Sequence, residues 1–323
     1  MFSLEELEQA ADLVHEVVPP TPQYSWPLLN ARTGCEVWVK HENHTPIGAF
    51  KIRGGLVFLN ELTKSGEKVA GLITATRGNH GQSISLAGRR FGLPVTIYAP
   101  RGNSVEKNQA MRAFGATLVE YGADFDESRV EADRVAAEQG LLFVPSFHPW
   151  LVRGVSTYAL EMFSNLPDLD TVYVPVGMGS GICGLIAARD LLGLRTKIVG
   201  VVADNAPAYA LSFEAGEVRE TNSASTFADG VACRVPAAEA LDVICRGADR
   251  IVRVSEQDIA KAIRDYYSDT HNLCEGAGAT PLAALKKERQ SMKGRKIGLI
   301  LTGGNMDRGP FMDVLDGGVP QIS

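Results

Sequence analysis

From residue 69 onward the chain alternates short apolar runs with longer amphipathic stretches. The runs 69–74, 95–99, 117–121, 141–144, 171–176, 197–203 and 296–302 are rich in Val, Ile and Leu and read as strands. The stretches between them read as helices. A strand, helix, strand rhythm needs crossover connections, which makes the strands parallel and places helices on both faces of the sheet. The expected architecture is therefore an open three-layer α/β sheet, with ligands at the C-terminal ends of the strands. The N-terminus reads differently. Ser3 and Glu6 form a capping box, and Leu4, Leu7, Ala11, Val14, Val17 and Val18 recur at helical spacing until Pro19 and Pro20 end the run. This predicts a surface helix whose role is packing.

Composition narrows the partners. With 323 residues and 45% apolar content the chain has enough core for two lobes. The net charge of -6 and pI near 5.6 give no basic footprint, so nucleic acid and anionic membranes are poor partners and a small molecule is favoured. Five cysteines (Cys35, Cys183, Cys233, Cys245 and Cys274) are odd in number and widely spaced, with no Cys-x-x-Cys pair for zinc or redox work. That usage fits a reducing cytoplasm. No apolar run reaches the length of a membrane span, and no signal peptide opens the chain.

Four loops carry candidate chemistry. Lys51 stands in Thr45-Pro46-Ile47-Gly48-Ala49-Phe50-Lys51-Ile52-Arg53-Gly54-Gly55, one amine flanked by glycines that let backbone approach a bound group. Such a lysine suits Schiff-base chemistry. Thr76-Arg77-Gly78-Asn79-His80-Gly81-Gln82 joins a strand to a helical run, so its free amides face an anion site. Gly177-Met178-Gly179-Ser180-Gly181 lies between the strand 171–176 and a helical run over 182–192. There converging N–H groups and the helix dipole make a phosphate cradle. Thr302-Gly303-Gly304-Asn305 follows the last strand. The stretch 179–184 also fits G-x-G-x-x-G, with Asp204 placed as a ribose-binding acid would be, and taken alone it points to a nicotinamide dinucleotide. That fingerprint normally opens its domain, and such an enzyme has no need of Lys51 or of a second Gly-Asn-His-Gly turn. Asp204 then reads as a solvated acid at a strand end.

In this order the four loops resemble those of the fold-type-II pyridoxal-phosphate (PLP) enzymes, the serine/threonine dehydratase and serine racemase family, and the resemblance spans most of the chain. It implies the three-layer parallel-sheet fold of the tryptophan synthase β-like enzymes in two lobes. Residues 1–52 and 153–323 would form a large cofactor-binding domain, and 53–152 a small inserted α/β domain. PLP would be held on Lys51 beside Phe50, with its phosphate on Gly177, Met178, Gly179, Ser180 and Gly181. Asn79 would meet its phenolic oxygen, Thr302 its ring nitrogen, and Glu275 would lie nearby, although a helix-start acid accounts for Glu275 almost as well. The amides of Thr76, Arg77, Gly78, Asn79 and His80 would hold the substrate carboxylate. The loop 146–150, with His148, would lie beside the substrate's β-substituent. The implied reaction is dehydration of a β-hydroxy amino acid, threonine, serine or a larger analogue, to a 2-oxo acid and ammonia, with Lys51 as the Cα base. Family members are commonly homodimers. Racemisation or β-replacement is the alternative within PLP chemistry, and nicotinamide-dependent oxidoreduction the alternative outside it.

Three departures refine the expectation. Serine racemases of the family carry a serine just before the Gly-Asn-His turn as the second acid/base. This chain has Arg77, which cannot release a proton near neutral pH, so two-face racemisation should be poor. The positions that ligate a divalent cation in many relatives hold Val202 and Ala208, so no metal is expected there, which leaves a displaced site using Asp204 as the alternative. The chain ends soon after Gly304, which leaves no room for the regulatory domain of biosynthetic threonine dehydratases and favours catabolic use. The aromatic loop Ser146-Phe147-His148-Pro149-Trp150 and Arg77 together suggest a substrate larger or more polar than threonine.

Overall fold

The computed structural model describes residues 1–321. Two sheets organise them. The larger contains β1 (Gln23–Ser25), β2 (Glu36–His41), β7 (Thr171–Pro175), β8 (Lys197–Ala203), β9 (Arg250–Val254) and β10 (Lys296–Leu301) in the order β1-β2-β10-β7-β8-β9. The smaller contains β3 (Leu72–Ala75), β4 (Val95–Ala99), β5 (Thr117–Glu120) and β6 (Leu142–Phe143) in the order β5-β4-β3-β6. Every predicted strand forms. All pairings are parallel except β1 with β2, a departure from the all-parallel expectation that puts an antiparallel ribbon on one edge of the larger sheet. Sequence periodicity missed β1, β2 and β9, where Trp38, Lys40 and Arg253 interrupt the apolar run.

The period of two survives even where both faces are buried. Val172 and Val174 of β7 point into one core while Tyr173 between them points into the other. Helices α1 (Leu4–His15), α2 (Pro27–Thr33), α3 (Lys51–Ser65), α4 (Asn79–Phe91), α5 (Val105–Ala113), α6 (Phe125–Gln139), α7 (Pro149–Asn165) and α8 (Ser180–Leu191) supply the first part of the cover. They are followed by α9 (Ala208–Ala215), α10 (Ala238–Gly247), α11 (Glu256–Thr270), α12 (Gly276–Lys287), α13 (Arg289–Met292) and α14 (Arg308–Leu315). Buried residues of α7 and α8 pack on one face of the larger sheet, and those of α11 and α12 on the other. For the smaller sheet α3 and α4 cover one face and α6 the other. Helix α3 also packs along α7, so it lies between the two layered units. The junctions expected at 52/53 and 152/153 thus fall inside α3 and α7. Among the described residues no helix is long and apolar enough to cross a membrane.

The predicted capping box forms in α1, with Ser3 and Glu6 exchanging their bonds, and Leu7, Ala10, Ala11 and Val14 face inward. The segment after α1 leads into a buried polar cluster that anchors α3. Arg53, fully buried, donates to both Glu42 oxygens (2.7 and 2.9 Å) and both Glu161 oxygens (2.6 and 3.1 Å). Lys40 donates to Glu161 at 2.5 Å and to the Thr21 carbonyl at 2.8 Å, while the Thr21 hydroxyl donates to Glu42 at 2.6 Å. Arg53 and Lys40 thus face Glu42 and Glu161, and His15 Nε2 lies 2.8 Å from Glu161 as well, so both carboxylates are counter-charged and hydrogen-bonded. Burial alone would push the Glu161 carboxyl up, but Arg53 and Lys40 outweigh it and hold it at about 2.

A buried pair that loses one partner leaves an uncompensated charge. Arg53→Met should therefore destabilise the fold by about 3–5 kcal/mol, read as a lower urea midpoint. Glu161 is depressed relative to its ordinary 4.5, so its contribution is present above that pH and fades as the pH falls toward about 2. The acid limb of the parent's stability curve should flatten in the variant. A loss below about 1 kcal/mol would mean that the cluster does not hold α3.

Candidate active site

The four loops converge at the C-terminal ends of β10, β7 and β3. Helix α3 starts at Lys51, and the loop before it is closed on itself by Thr45, whose hydroxyl accepts from the Ala49 N–H at 3.0 Å. It is also zipped to the loop after β10. The Phe50 N–H donates to the Thr302 carbonyl at 3.0 Å, the Gly304 N–H to the Gly48 carbonyl at 2.9 Å, and the Asn305 amide to the Ile47 carbonyl at 2.8 Å. From the other side Ser83 of α4 donates to the Lys51 carbonyl at 2.6 Å. The lysine backbone is thereby fixed by two separate elements.

Lys51 keeps part of its surface accessible, yet its amine is ringed by protein, and this desolvation lowers its pKa to about 8. The amine donates to the Ser180 hydroxyl at 3.0 Å. Ser180 is the first residue of α8, and Gly179 before it sits at φ 96°, a left-handed conformation that lets the chain turn from β7 into the helix. The first-turn N–H groups of α8 lack intrahelical acceptors, as an anion site requires. Tyr158 and Tyr209 support this turn from below, donating to the carbonyls of Gly181 (2.9 Å) and Met178 (3.0 Å). The Phe50 ring lies beside Gly181, 5.1 Å from the Lys51 amine.

Asn79 opens α4 and is held at both ends of its amide. It accepts from the Asn305 amide at 2.8 Å and donates to Glu275 at 2.7 Å. Glu275 precedes α12 but makes no side-chain capping bond, which argues against a helix-start role. It is 3% exposed, and one of its carboxylate oxygens has no hydrogen-bond partner. Burial raises its pKa more than the nearby Lys107 lowers it.

Other expected residues fall as follows. Thr76 is buried and its hydroxyl accepts the Gly78 N–H at 3.0 Å, so that amide is already used. The N–H groups of Asn79, His80 and Gly81 at the helix start remain for an anion. The His80 ring turns into the small unit, 3.4 Å from the Val144 carbonyl, and burial drives its pKa down to about 3. His148 caps α7 by accepting from the Trp150 N–H at 3.2 Å, and packs edge-on to Phe58 and Trp150. Arg77 is half-buried, and no acidic side chain pairs with it among the described residues. Thr302 is 4% exposed at the end of β10. Sequence reasoning missed Lys107 and Asp229, which join this site. Asn305 stands in the motif after the last strand, and its role as a donor to Asn79 emerges only in the fold. Nothing in the amphipathic pattern of α5 separates Lys107 from a surface lysine.

The residues fit the expected cofactor: an amine whose pKa is lowered by burial for its carbonyl, an amide-lined helix start for its phosphate, and the Glu275 carboxylate, with one oxygen unpartnered, bonded to Asn79. Comparison with known proteins agrees. The family described as pyridoxal-phosphate dependent enzyme matches residues 14–303. The L-threonine ammonia-lyase of Thermotoga maritima is 33% identical over 308 residues, 95% of this chain and 76% of that one. The catabolic L-threonine dehydratase of Staphylococcus aureus is 31% identical over 324 residues, 99% of this chain and 93% of that one. Among solved structures, the processed form of threonine deaminase isoform 2 from Solanum lycopersicum superposes with a TM-score of 0.89 at 31% identity, covering 98% of this chain and 94% of that one.

Proposed function

The chain belongs to the pyridoxal-phosphate-dependent enzyme family, and we propose that within it this protein is a lyase that dehydrates a β-hydroxy amino acid to a 2-oxo acid and ammonia. The observation that carries this reading is the Lys51 amine, buried, shifted to about 8 and hydrogen-bonded to the first residue of α8. The family assignment removes the nicotinamide reading of the stretch 179–184. We assign the lobes to 1–52 with 153–323 and to 53–152.

The bound cofactor supplies an electron sink that acidifies the Cα–H of the amino acid joined to it. Gly177 to Gly181 would hold its phosphate, Asn79 its phenolic oxygen and Thr302 its ring nitrogen, with Phe50 and Glu275 alongside. The N–H groups at the start of α4 orient the substrate carboxylate. Lys51, once free, takes the Cα proton on Nζ, and its lowered pKa suits that task near neutral pH. The proton taken up on Lys51 Nζ can then pass to the Cβ hydroxyl, which leaves as water, and a second water hydrolyses the released enamine, through its imine, to the 2-oxo acid and ammonia. Arg77 supplies no acid on the opposite face, which disfavours racemisation. The side chains of Val202 and Ala208 are buried hydrocarbon, so no cation is proposed there.

We place the enzyme in the cytoplasm, in keeping with five unpaired cysteines. We also propose a homodimer, because Tyr24, Tyr267, Leu273 and Met312 leave large apolar groups exposed. Sedimentation at micromolar concentration should give twice the chain mass, and a monomer would reject the dimer.

Lys51→Ala should cut 2-oxo-acid release by about 10²–10⁴-fold while leaving the thermal unfolding midpoint near that of the parent. Near-normal release without added amine would sink the assignment of Lys51. For the substrate, the unpaired Arg77 favours an anionic β-substituent, and the engaged ring of His148 leaves that task to Arg77. Values of kcat/KM should rank 3-hydroxyaspartate above threonine and 3-phenylserine. Arg77→Ser should lower only the first, by about tenfold or more. If threonine ranks first and Arg77→Ser changes all three alike, plain threonine dehydration stands.

A further inference from the structure

Lys107 is carried by α5, which packs against α4 in the small unit, yet its amine reaches residues of the large one. It donates to Asp229 at 2.5 Å and lies 3.7 Å from the otherwise unpartnered oxygen of Glu275, close enough for charge attraction though too far for a hydrogen bond. Its stem lies along the Gly78 turn so closely that a Cβ on Gly78 would come within 2.5 Å of Lys107 Cδ. The ammonium is therefore built into the site and is only 7% exposed. Burial works against its charge, but Asp229, Glu275 and Asp307 together hold its pKa above the ordinary value.

The orientation of the Asn79 amide is set from the other side of this cluster, by Ile47 and Asn305. The Ile47 carbonyl can only accept, so the Asn305 nitrogen must face it and, from the same nitrogen, donate to Asn79. Asn79 must then present its oxygen to Asn305 and its nitrogen to Glu275. Glu275 has to accept at that oxygen. A proton there would set two donors against each other, and a proton on the other oxygen would stand beside the Lys107 ammonium. An unprotonated Oε1 lets Asn79 keep its amide fixed, with one N–H left for a ligand, and the Lys107 ammonium beside Oε2 favours the ionised carboxylate.

We infer that Lys107 is a positioning residue of the proposed elimination: its ammonium, bridging Asp229 and Glu275 across the two units, favours the ionised form of Glu275 that accepts from the Asn79 amide. The inference rests on the proposed function for its catalytic consequence, but the coupling itself does not. The charged or titratable groups facing the cluster are Asp229, Asp307 and the buried Cys274 thiol. Asp229 raises the proton affinity of Glu275 and Lys107 lowers it, so the two have opposite effects.

The test uses infrared difference spectroscopy of the full-length protein, in which the protonated-carboxyl band absent from Glu275→Gln reports Glu275 without any turnover. Lys107→Met should move the midpoint of that band up by at least about one pH unit, a tenfold gain in proton affinity. Asp229→Asn should move it down, and Lys107→Arg should leave it near the parent. In the cofactor-loaded enzyme Lys107→Met should lower kcat by about tenfold with KM within about twofold, and the acid limb of kcat should follow the band. Should Lys107→Met not fold, a downward shift in Asp229→Asn beside an unmoved midpoint in Lys107→Arg decides. Midpoints that stay fixed, or that move the same way in both charge-removing variants, would overturn the inference and leave Lys107 as a tether between units. Correct midpoint shifts with no 2-oxo-acid release by any variant or by the parent would instead reject the proposed function.

Discussion

Arg53 is the constraint on which the arrangement depends. It sits two residues after Lys51 in the first turn of α3, has no exposed surface, and holds Glu42 at the end of β2 and Glu161 in α7 at once. A guanidinium can do this because its donors form a rigid fork that meets two carboxylates in fixed geometry. The cluster anchors the first turn of α3, and α3 carries Lys51, the amine proposed to react. Lys40 completes the charge balance, so no ion in the cluster is left without a counter-ion.

The reactive end of α3 has the opposite electrostatics. Lys51 has no carboxylate partner, only the Ser180 hydroxyl, and burial alone acts on its pKa. Within two residues of one helix, one cation is held charged by two carboxylates while another is left poised to lose its proton. Ion pairing accounts for the first and its absence for the second. Asn79 and Glu275 are tied to the same loops, because the Asn305 amide that fixes Asn79 also donates to the Ile47 carbonyl ahead of Lys51. Each polar group in that chain has a single role available to it, donor or acceptor, and so the chain as a whole has one arrangement.

How much of this was legible in the sequence depended on whether the signal was local. The strands 95–99 and 197–203 were readable because a parallel strand buried on both faces is a short apolar run between turn residues. The capping box of α1 was readable because Ser3 and Glu6 act within one turn. The loops around Lys51, Asn79, Ser180 and Thr302 could be picked out because glycines and polar residues cluster where strands give way to helices. Strand β2 was missed because Lys40 looks like a surface residue until Glu161, far along the chain, is brought against it.

The sequence by itself determined seven of the ten strands and their alternation with helices, the family, and the amine proposed for the chemistry, since each is written in neighbouring residues. Only the tertiary structure decided the charge states and the partners. His148 became a helix cap and Glu275 an acceptor for Asn79, while Lys107 became a buried ion bridging two units. The reason is physical: periodicity reports which face of an element is buried, but the charge of a buried group depends on what lies within a few ångströms of it. Those neighbours come from segments separated by up to hundreds of positions, and only folding brings them together.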